Sequence, residues 1–525
     1  MDQGIIGYIT AAALGVIVIT IFLHIRRNRS YTYHERYLFE NTFLMLSQMP
    51  RLLDFLFEAS ESHGKLNGNN KTLHINTFGM PDIVVTNTVE NVTYILKGNF
   101  ETYGKGPIFK SRFQALLGDG IFNTDGDKWY KHRKTSAHLF NTNKFKTTVL
   151  DTFNRHCDVL VDIINKHAAA GKDGESFDIA SLMFKFTLDS IGFIAFGCEI
   201  GALHQDRVPF ADAFDVCQET INQSFLDPLW VLKRIFTPAG WDYYRCIRMV
   251  DSYAMGVVAN KRKMVEKEAA KNEMSSPKRP GGGDLLSLYL DRNSMENGDG
   301  TSTLSDRALR DVVLNFVIAG RDTTAQALSW CFYRLCIHPE VQSSLRADII
   351  RTMKGGSSGK LSYEMLQSMC YLEAFCMEVL RLHPSVPKEA KYAGKDDTFP
   401  DGTRVKKGDI IVFAPWLMGR TEEIWKNALE FQVNRHYTTT DAVDVEPNSA
   451  NMTLIKHSPF AYTAFQAGPR LCLGMNLALL EMKCCLVRLL TDFEFSLAQP
   501  KESVTYVCTI TLPIKGGLAV KAKKL

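Results

Sequence analysis

The first long apolar stretch of the chain, Gly4 to Leu23, carries no charge and is about the twenty residues long that a bilayer crossing requires. Beyond it the pattern turns amphipathic. Apolar side chains at 309, 312, 313, 316, 317 and 327 follow a helical period and predict one long helix over 309–336. A second helix-forming run covers Met475 to Leu490. Short β-type segments appear at 72–78, 82–87, 410–415 and 504–513. Most of the remainder is helical in period, so the expected class is mostly α with small β-sheets. Two stretches, 271–302 and 354–360, are rich in Gly, Ser and Pro and read as flexible connections inside one large domain.

Charge around the first run sets its orientation. Arg26, Arg27 and Arg29 follow it and only Asp2 precedes it, the reverse of a cleavable signal. The positive-inside rule then puts the rest of the chain in the cytoplasm. The expected layout is an anchor at 4–25, a linker and membrane-proximal segment at 26–60, and a body at 61–525. With a cytoplasmic body, the Asn-x-Ser/Thr triplets at Asn70, Asn91, Asn222 and Asn451 are chance matches. The 525 residues carry a net charge of only +4, which gives no reason to expect nucleic acid as a partner. Twelve cysteines without a Cys-x-x-Cys pair fit a reducing compartment and buried thiols, with Cys484 and Cys485 on a packed helix.

The chemistry concentrates around one cysteine. Phe465, Gly468, Arg470 and Gly474 bracket Cys472 just ahead of the 475–490 helix. Glycines let backbone N–H groups approach the sulfur, and a helix N-terminus favours a thiolate, as a metal ligand needs. In the middle of the 309–336 helix, Ala319-Gly320-Arg321-Asp322-Thr323-Thr324 places poor helix formers where good ones were available. Thr hydroxyls there can bond to the carbonyl four residues back and open the helix. Glu378 and Arg381 stand three apart on one helix face. Trp129 and Arg133 stand four apart and can meet one anionic edge, within a basic cluster of Lys128, Lys131, His132, Arg133 and Lys134.

Together these segments resemble the cytochrome P-450 superfamily. Phe465 to Gly474 match its Phe-x-x-Gly-x-Arg-x-Cys-x-Gly signature at every fixed position. The resemblance implies the superfamily's single heme-thiolate domain, with Cys472 as axial ligand to the heme iron. It implies that Trp129, Arg133 and Arg470 contact heme propionates, that Thr323 holds iron-bound oxygen and that Asp322 relays protons. Glu378, Arg381 and Arg435 would form a structural lock, although Val433 and Asn434 replace the usual Pro and Glu before Arg435. The basic cluster would dock an acidic electron donor.

The chain has no Gly-x-Gly-x-x-Gly dinucleotide motif and no fused flavin domain, so NADPH electrons must come through a separate reductase or a cytochrome b-type donor. With O2 as co-substrate, the implied reaction is monooxygenation, on the endoplasmic reticulum membrane by a single-pass protein. Within the superfamily the likeness is to the fatty-acid ω-hydroxylase group, carried by Gly118–Phe122 through Lys134, Ala319–Thr324, Arg381–Pro387 and Pro415–Arg420. A proline-rich hinge expected after the anchor is missing. By alignment, substrate walls are Phe109, Phe113, Phe225, Trp230, Val386, Pro387, Ile510 and Leu512. Other readings keep the heme: a sterol, terpenoid or xenobiotic hydroxylase, an isomerase or dehydratase, or a heme-binding protein without turnover.

Overall fold

The computed structural model describes residues 44–525 apart from 46, 67, 69–70, 77–80, 141–142, 171–173, 226, 228, 273–283, 297–303, 355–360 and 441–445. The expected anchor at 4–25, residues 26–43 of the expected linker at 26–60, and all but Lys354 of the expected connection at 354–360 therefore lie outside the described residues.

The longer helices, in chain order, are α1 (Leu52–Leu66), α2 (Gly106–Leu117), α3 (Gly126–Phe140), α4 (Asn143–Ala169), α5 (Ile179–Phe196), α6 (Pro209–Ser224) and α7 (Trp230–Phe236). They continue with α8 (Pro238–Asn272), α9 (Leu285–Glu296), α10 (Asp306–Val317), α11 (Thr323–Ile337), α12 (Pro339–Lys354), α13 (Cys370–Leu382) and α14 (Met475–Asp492). Helix α5 is long and apolar enough to span a membrane, yet most of it is buried inside the body. Asp178 caps its start by accepting the Ala180 N–H at 3.0 Å, and Gly197 ends it in the left-handed conformation. It packs on α4 and α11, which is why it is apolar on nearly every face.

Four small sheets complete the mostly-α fold, and the largest has five strands. These are β1 (Leu73–Ile75), β2 (Ile83–Val85), β3 (Tyr103–Gly104), β5 (Glu389–Ala393) and β8 (Ile410–Phe413), in the order β1-β2-β8-β5-β3. Strands β2 and β8 pair in parallel with Val84 opposite Ile411. Side-chain alternation divides the sheet between two environments. Ile83, Val85, Ile410 and Val412 face a large cavity, while Val84, Ile411 and Phe413 fill a separate apolar cluster. The remaining pairs are β6 (Asp397–Thr398) with β7 (Arg404–Val405) and β9 (Tyr437–Thr439) with β10 (Met452–Leu454). The last sheet is three-stranded: β11 (Phe493–Leu497), β12 (Ala519–Lys524) and β4 (Phe177–Asp178), in the order β11-β12-β4.

Several expectations need correction. Residues 504–513 are not a strand; they form irregular loops with one isolated bridge, Tyr506 to Ile514. The C-terminal strands are β11 and β12, whose ends alternate with charged residues. Within the supposed flexible stretch 271–302, α9 is a helix with Leu285 and Leu286 fully buried. The body also starts earlier than residue 61: α1 buries Leu52, Leu53 and Leu56 in the main core, so the 60/61 boundary cuts a packed helix.

Candidate functional site

The 309–336 helix is interrupted. Between α10 and α11, Ile318–Asp322 form a π-helical turn, the local opening expected from its composition. Three hydroxyls hold the opening. Thr323 Oγ1 donates to Ala319 O at 2.7 Å, Thr187 Oγ1 of α5 donates to Arg321 O at 2.8 Å, and Ser385 Oγ donates to Thr323 O at 2.7 Å. Gly320 is required there for a packing reason: a Cβ would lie 2.5 Å from Ile191 Cδ1 of α5.

This opening and the Cys472 loop face each other across a cavity of about 250 Å³. Trp129, Arg133, Thr323, Phe465, Arg470 and Gly474 line it together with Cys472. The sulfur is open to the cavity but enclosed by protein. Burial pushes the Cys472 thiol up, and the Gly474 N–H and the Arg133 guanidinium pull the other way without winning. The surroundings alone therefore do not favour a thiolate; a cation bound to the sulfur would. Gly468 lies outside the cavity lining. Its φ of +64° and a Leu96 carbonyl only 2.2 Å from any Cβ make it a close-approach position behind the loop.

One edge of the cavity collects donors without acceptors. Trp129 Nε1 and the Arg133 guanidinium have no hydrogen-bond partner among the described residues. Arg470 donates to Asp125 at 2.7 Å and to Thr124 O at 3.0 Å, but its Nε is buried and unpaired. Two lysines that sequence reasoning missed lie near them, Lys105 in the lining and Lys391 outside it but close enough to feel the charges of Lys105 and Arg470. Lys105 lines the cavity with Glu389 at 3.9 Å and its ammonium 4.4 Å over the Phe109 ring. Lys391 is fully buried with an orphaned Nζ, and burial together with Lys105 drags it down to about 7. Lys391 lies within β5 and Lys105 caps the start of α2, positions that carry no mark of their own in the sequence. This donor set fits a flat group whose edge bears two carboxylates and whose centre can meet the Cys472 sulfur, as heme does.

Asp322 is not part of the lining. Its carboxylate turns to Gln218 Nε2 at 2.8 Å and to Arg321 at 3.1 Å, and Arg321 in turn pairs with Asp215 at 2.6 Å. Burial pushes the Asp322 carboxyl up to about 6, with Arg321 opposing. In the basic cluster, Lys128, Lys131 and Lys134 are exposed, whereas His132 turns inward to Asp119 O at 3.0 Å.

Glu378 and Arg381 form a fully buried bidentate pair, 2.7 and 2.8 Å. Arg381 also holds the carbonyls of Gly419, Ala428 and Glu430. Arg435 reaches Glu378 only at 3.5 Å and bonds chiefly to the carbonyls of Lys426 and Asn427. The closer partner, which sequence reasoning missed, is His436, 2.9 Å from Glu378.

A second, outer lobe of about 260 Å³ shares Thr323, Val386 and Glu389 with the first and extends to Leu52 and Leu56 of α1. Phe109, Phe113, Phe225, Val386 and Ile510 line it, and the three phenylalanine rings cluster in tilted contact, 4.5–6.1 Å between centroids. Three expected walls are not there. Trp230 is clamped between Arg112, at 3.6 Å, and Arg234, at 4.6 Å. Leu512 is fully buried, its backbone tied to Gln326 and Trp330. Pro387 lines neither lobe; its carbonyl accepts the Trp416 N–H at 3.2 Å.

A family model described as Cytochrome P450 matches residues 53–519. Cytochrome P450 704C1 of Pinus taeda is 36% identical over 452 residues, covering 82% of this chain and 82% of that protein. Cytochrome P450 94A2 of Vicia sativa is 33% identical, covering 82% and 80%. Cytochrome P450 monooxygenase cyp1 of Mycosarcoma maydis is 32% identical, covering 90% and 72%. The crystal structure of cytochrome P450DA heme domain aligns with a TM-score of 0.71 at 20% identity, covering 91% of this chain and 94% of that one, a likeness of fold.

Proposed function

Because this chain belongs to the cytochrome P450 family and is a heme-thiolate monooxygenase, we propose that it hydroxylates the terminal or near-terminal carbon of fatty acids. The observation that carries this reading is the apolar outer lobe, with its clustered Phe109, Phe113 and Phe225, which shares Thr323 and other walls with the cavity that Cys472 lines. A long cavity with few convergent polar groups suits an acyl chain better than a compact polar substrate. The likeness of Ala319–Thr324 and Arg381–Pro387 to the fatty-acid ω-hydroxylase group supports it.

In this reading Cys472 would hold the heme iron through its sulfur. Trp129, Arg133, Arg470, Lys105 and Lys391 would hold the two propionates. When bound, heme would supply activation of O2, one oxygen atom entering a C–H bond and the other leaving as water, with two electrons from NADPH through a separate reductase and two protons consumed. The residues around it manage protons and water. The Thr323 hydroxyl, bonded to Ala319 O, stands at the gap where oxygen is needed. Asp322, Arg321 and half-exposed Asp215 form a polar path to solvent, and an Asp322 carboxyl raised towards neutrality can exchange a proton there. Apolar walls keep bulk water from the reacting carbon. Glu378, Arg381, His436 and Arg435 keep the 419–432 backbone in place.

We further assign the protein to the endoplasmic reticulum membrane, held by a single pass at 4–25 with its body in the cytoplasm. Leu229, Leu232, Ile235, Phe236 and Trp241 support membrane contact: all are more than half exposed on and beside α7. The exposed Lys128, Lys131 and Lys134 suit an acidic electron donor. Microsomes containing the protein and a reductase should convert lauric or oleic acid to hydroxy acids. No product at any chain length, with the heme correctly ligated, overturns the substrate.

A further inference from the structure

The outer lobe contains a cation without an anion. Lys388 lines it, and its Nζ donates to Thr509 O at 2.8 Å and lies 3.3 Å from Cys508 Sγ. Among the described residues no carboxylate stands within 4.0 Å of this ammonium. The other lysine of the lobe, Lys105, has Glu389. An ammonium has three donors, and here one neutral carbonyl and one sulfur occupy at most two. Holding a charge at an apolar wall with neutral partners alone carries a desolvation cost that an incoming anion would offset.

The position along the chain matters as much as the charge. Ser385, whose hydroxyl bonds to Thr323 O, lies three residues before Lys388, and three extended residues span at most about 10 Å. Val386, between them, lines both lobes. Lys388 and the Thr323 gap therefore border one continuous apolar space, which Val386 and Thr323 line on both sides. Asn222, whose Nδ2 donates to Cys508 O at 2.9 Å, flanks the same corner.

We infer that Lys388 is a substrate-positioning residue that binds the carboxylate of the fatty acid and so directs the far end of its chain to the oxygen site. This rests on the fatty-acid reading above. Fixing one end of a flexible chain fixes which carbon arrives at the other, and an anchored carboxylate selects acids over alcohols of the same length.

The test is calorimetric titration of the full-length heme-loaded protein with dodecanoate and with 1-dodecanol. Wild-type protein should prefer dodecanoate, and Lys388→Met should lower the acid-to-alcohol affinity ratio on the order of 10- to 100-fold, as loss of a charged hydrogen bond implies. Lys388→Arg should keep most of the preference. Turnover by Lys388→Met should spread hydroxylation over several carbons near the chain end. If Lys388 merely tethers the 508–509 loop, Lys388→Met weakens acid and alcohol alike and leaves the ratio unchanged; that result overturns the anchor and leaves the fatty-acid reading standing. Wild-type protein that binds neither dodecanoate nor oleate overturns the fatty-acid reading itself, and the anchor with it.

Discussion

Glu378 Oε2 and His436 Nε2 lie 2.9 Å apart, with both side chains sealed from solvent. The carboxylate accepts at the same time from Arg381 at two points and from the Gln432 N–H at 2.7 Å. Burial and neighbouring arginines hold the His436 imidazole below its usual range, so near neutrality it is a neutral donor to Glu378. Its Nδ1 meets His457 Nε2 at 2.9 Å.

Acid stability should report this network. Burial alone would raise the Glu378 carboxyl, but the bonds from Arg381 and His436 bring it down to about 2. A carboxyl lowered in the folded state stabilises fully above its unfolded value, near 4.5, and loses that contribution as pH falls through about 2. The contribution is about 3 kcal/mol. Denaturant unfolding of wild-type protein between pH 5 and 2, set against Glu378→Gln, measures it. The variant should lose roughly 3–5 kcal/mol near neutrality, since Arg381 is left buried without its anion, and show a shallower acid limb.

Lys391 should behave in the opposite sense. Without the heme it titrates near 7, far below the ordinary lysine range. The folded chain then binds fewer protons than the unfolded one from about pH 7 to about 10, so heme-free protein should gain stability as pH rises through that window. Heme-loaded protein, with carboxylates beside the ammonium, should show little of this slope. Lys391→Met should stabilise the heme-free chain by about 1–3 kcal/mol, the relief of an unpaired buried donor, yet release heme faster to an acceptor globin. Equal heme release by variant and wild type would remove Lys391 from the propionate set.

Thr323→Ala removes the hydroxyl that bonds Ala319 O at the opening. Oxygen consumption and NADPH oxidation should continue while product per NADPH falls by at least about tenfold, the rate equivalent of one hydrogen bond of ~1.4 kcal/mol. Thr323→Ser should recover most of the coupling. Simultaneous measurement of NADPH, peroxide and hydroxylated product separates uncoupling from simple loss of binding.

Local signals carried the opening at 318–322, since Gly320, Asp322 and Thr323 are costly in a helix interior and only a broken helix explains them. The cysteine loop and the Glu378–Arg381 pair were legible for the same reason: their spacing is short-range. The fourth partner of Glu378 was not, because His436 arrives from 58 residues away and its neighbour Arg435 offered the more obvious charge. The C-terminal strands escaped because β11 and β12 pair across a gap of more than twenty residues, and charge at their ends hides the alternation. Trp230 and Leu512 looked like cavity walls because an aromatic or a leucine carries no mark of which cavity, or which arginine, it will face.

By itself the sequence determined the chemistry: a cysteine between glycines, a helix that must open, and donors at helical spacing, all specified within a few residues of one another. Tertiary structure alone decided which buried cations remain without anions. Lys388 and Lys391 read as ordinary lysines along the chain. In the proposed reading they meet cofactor or substrate because packing removes water and counter-ions from around them, since burial is what makes an unpaired charge costly and a bound carboxylate welcome.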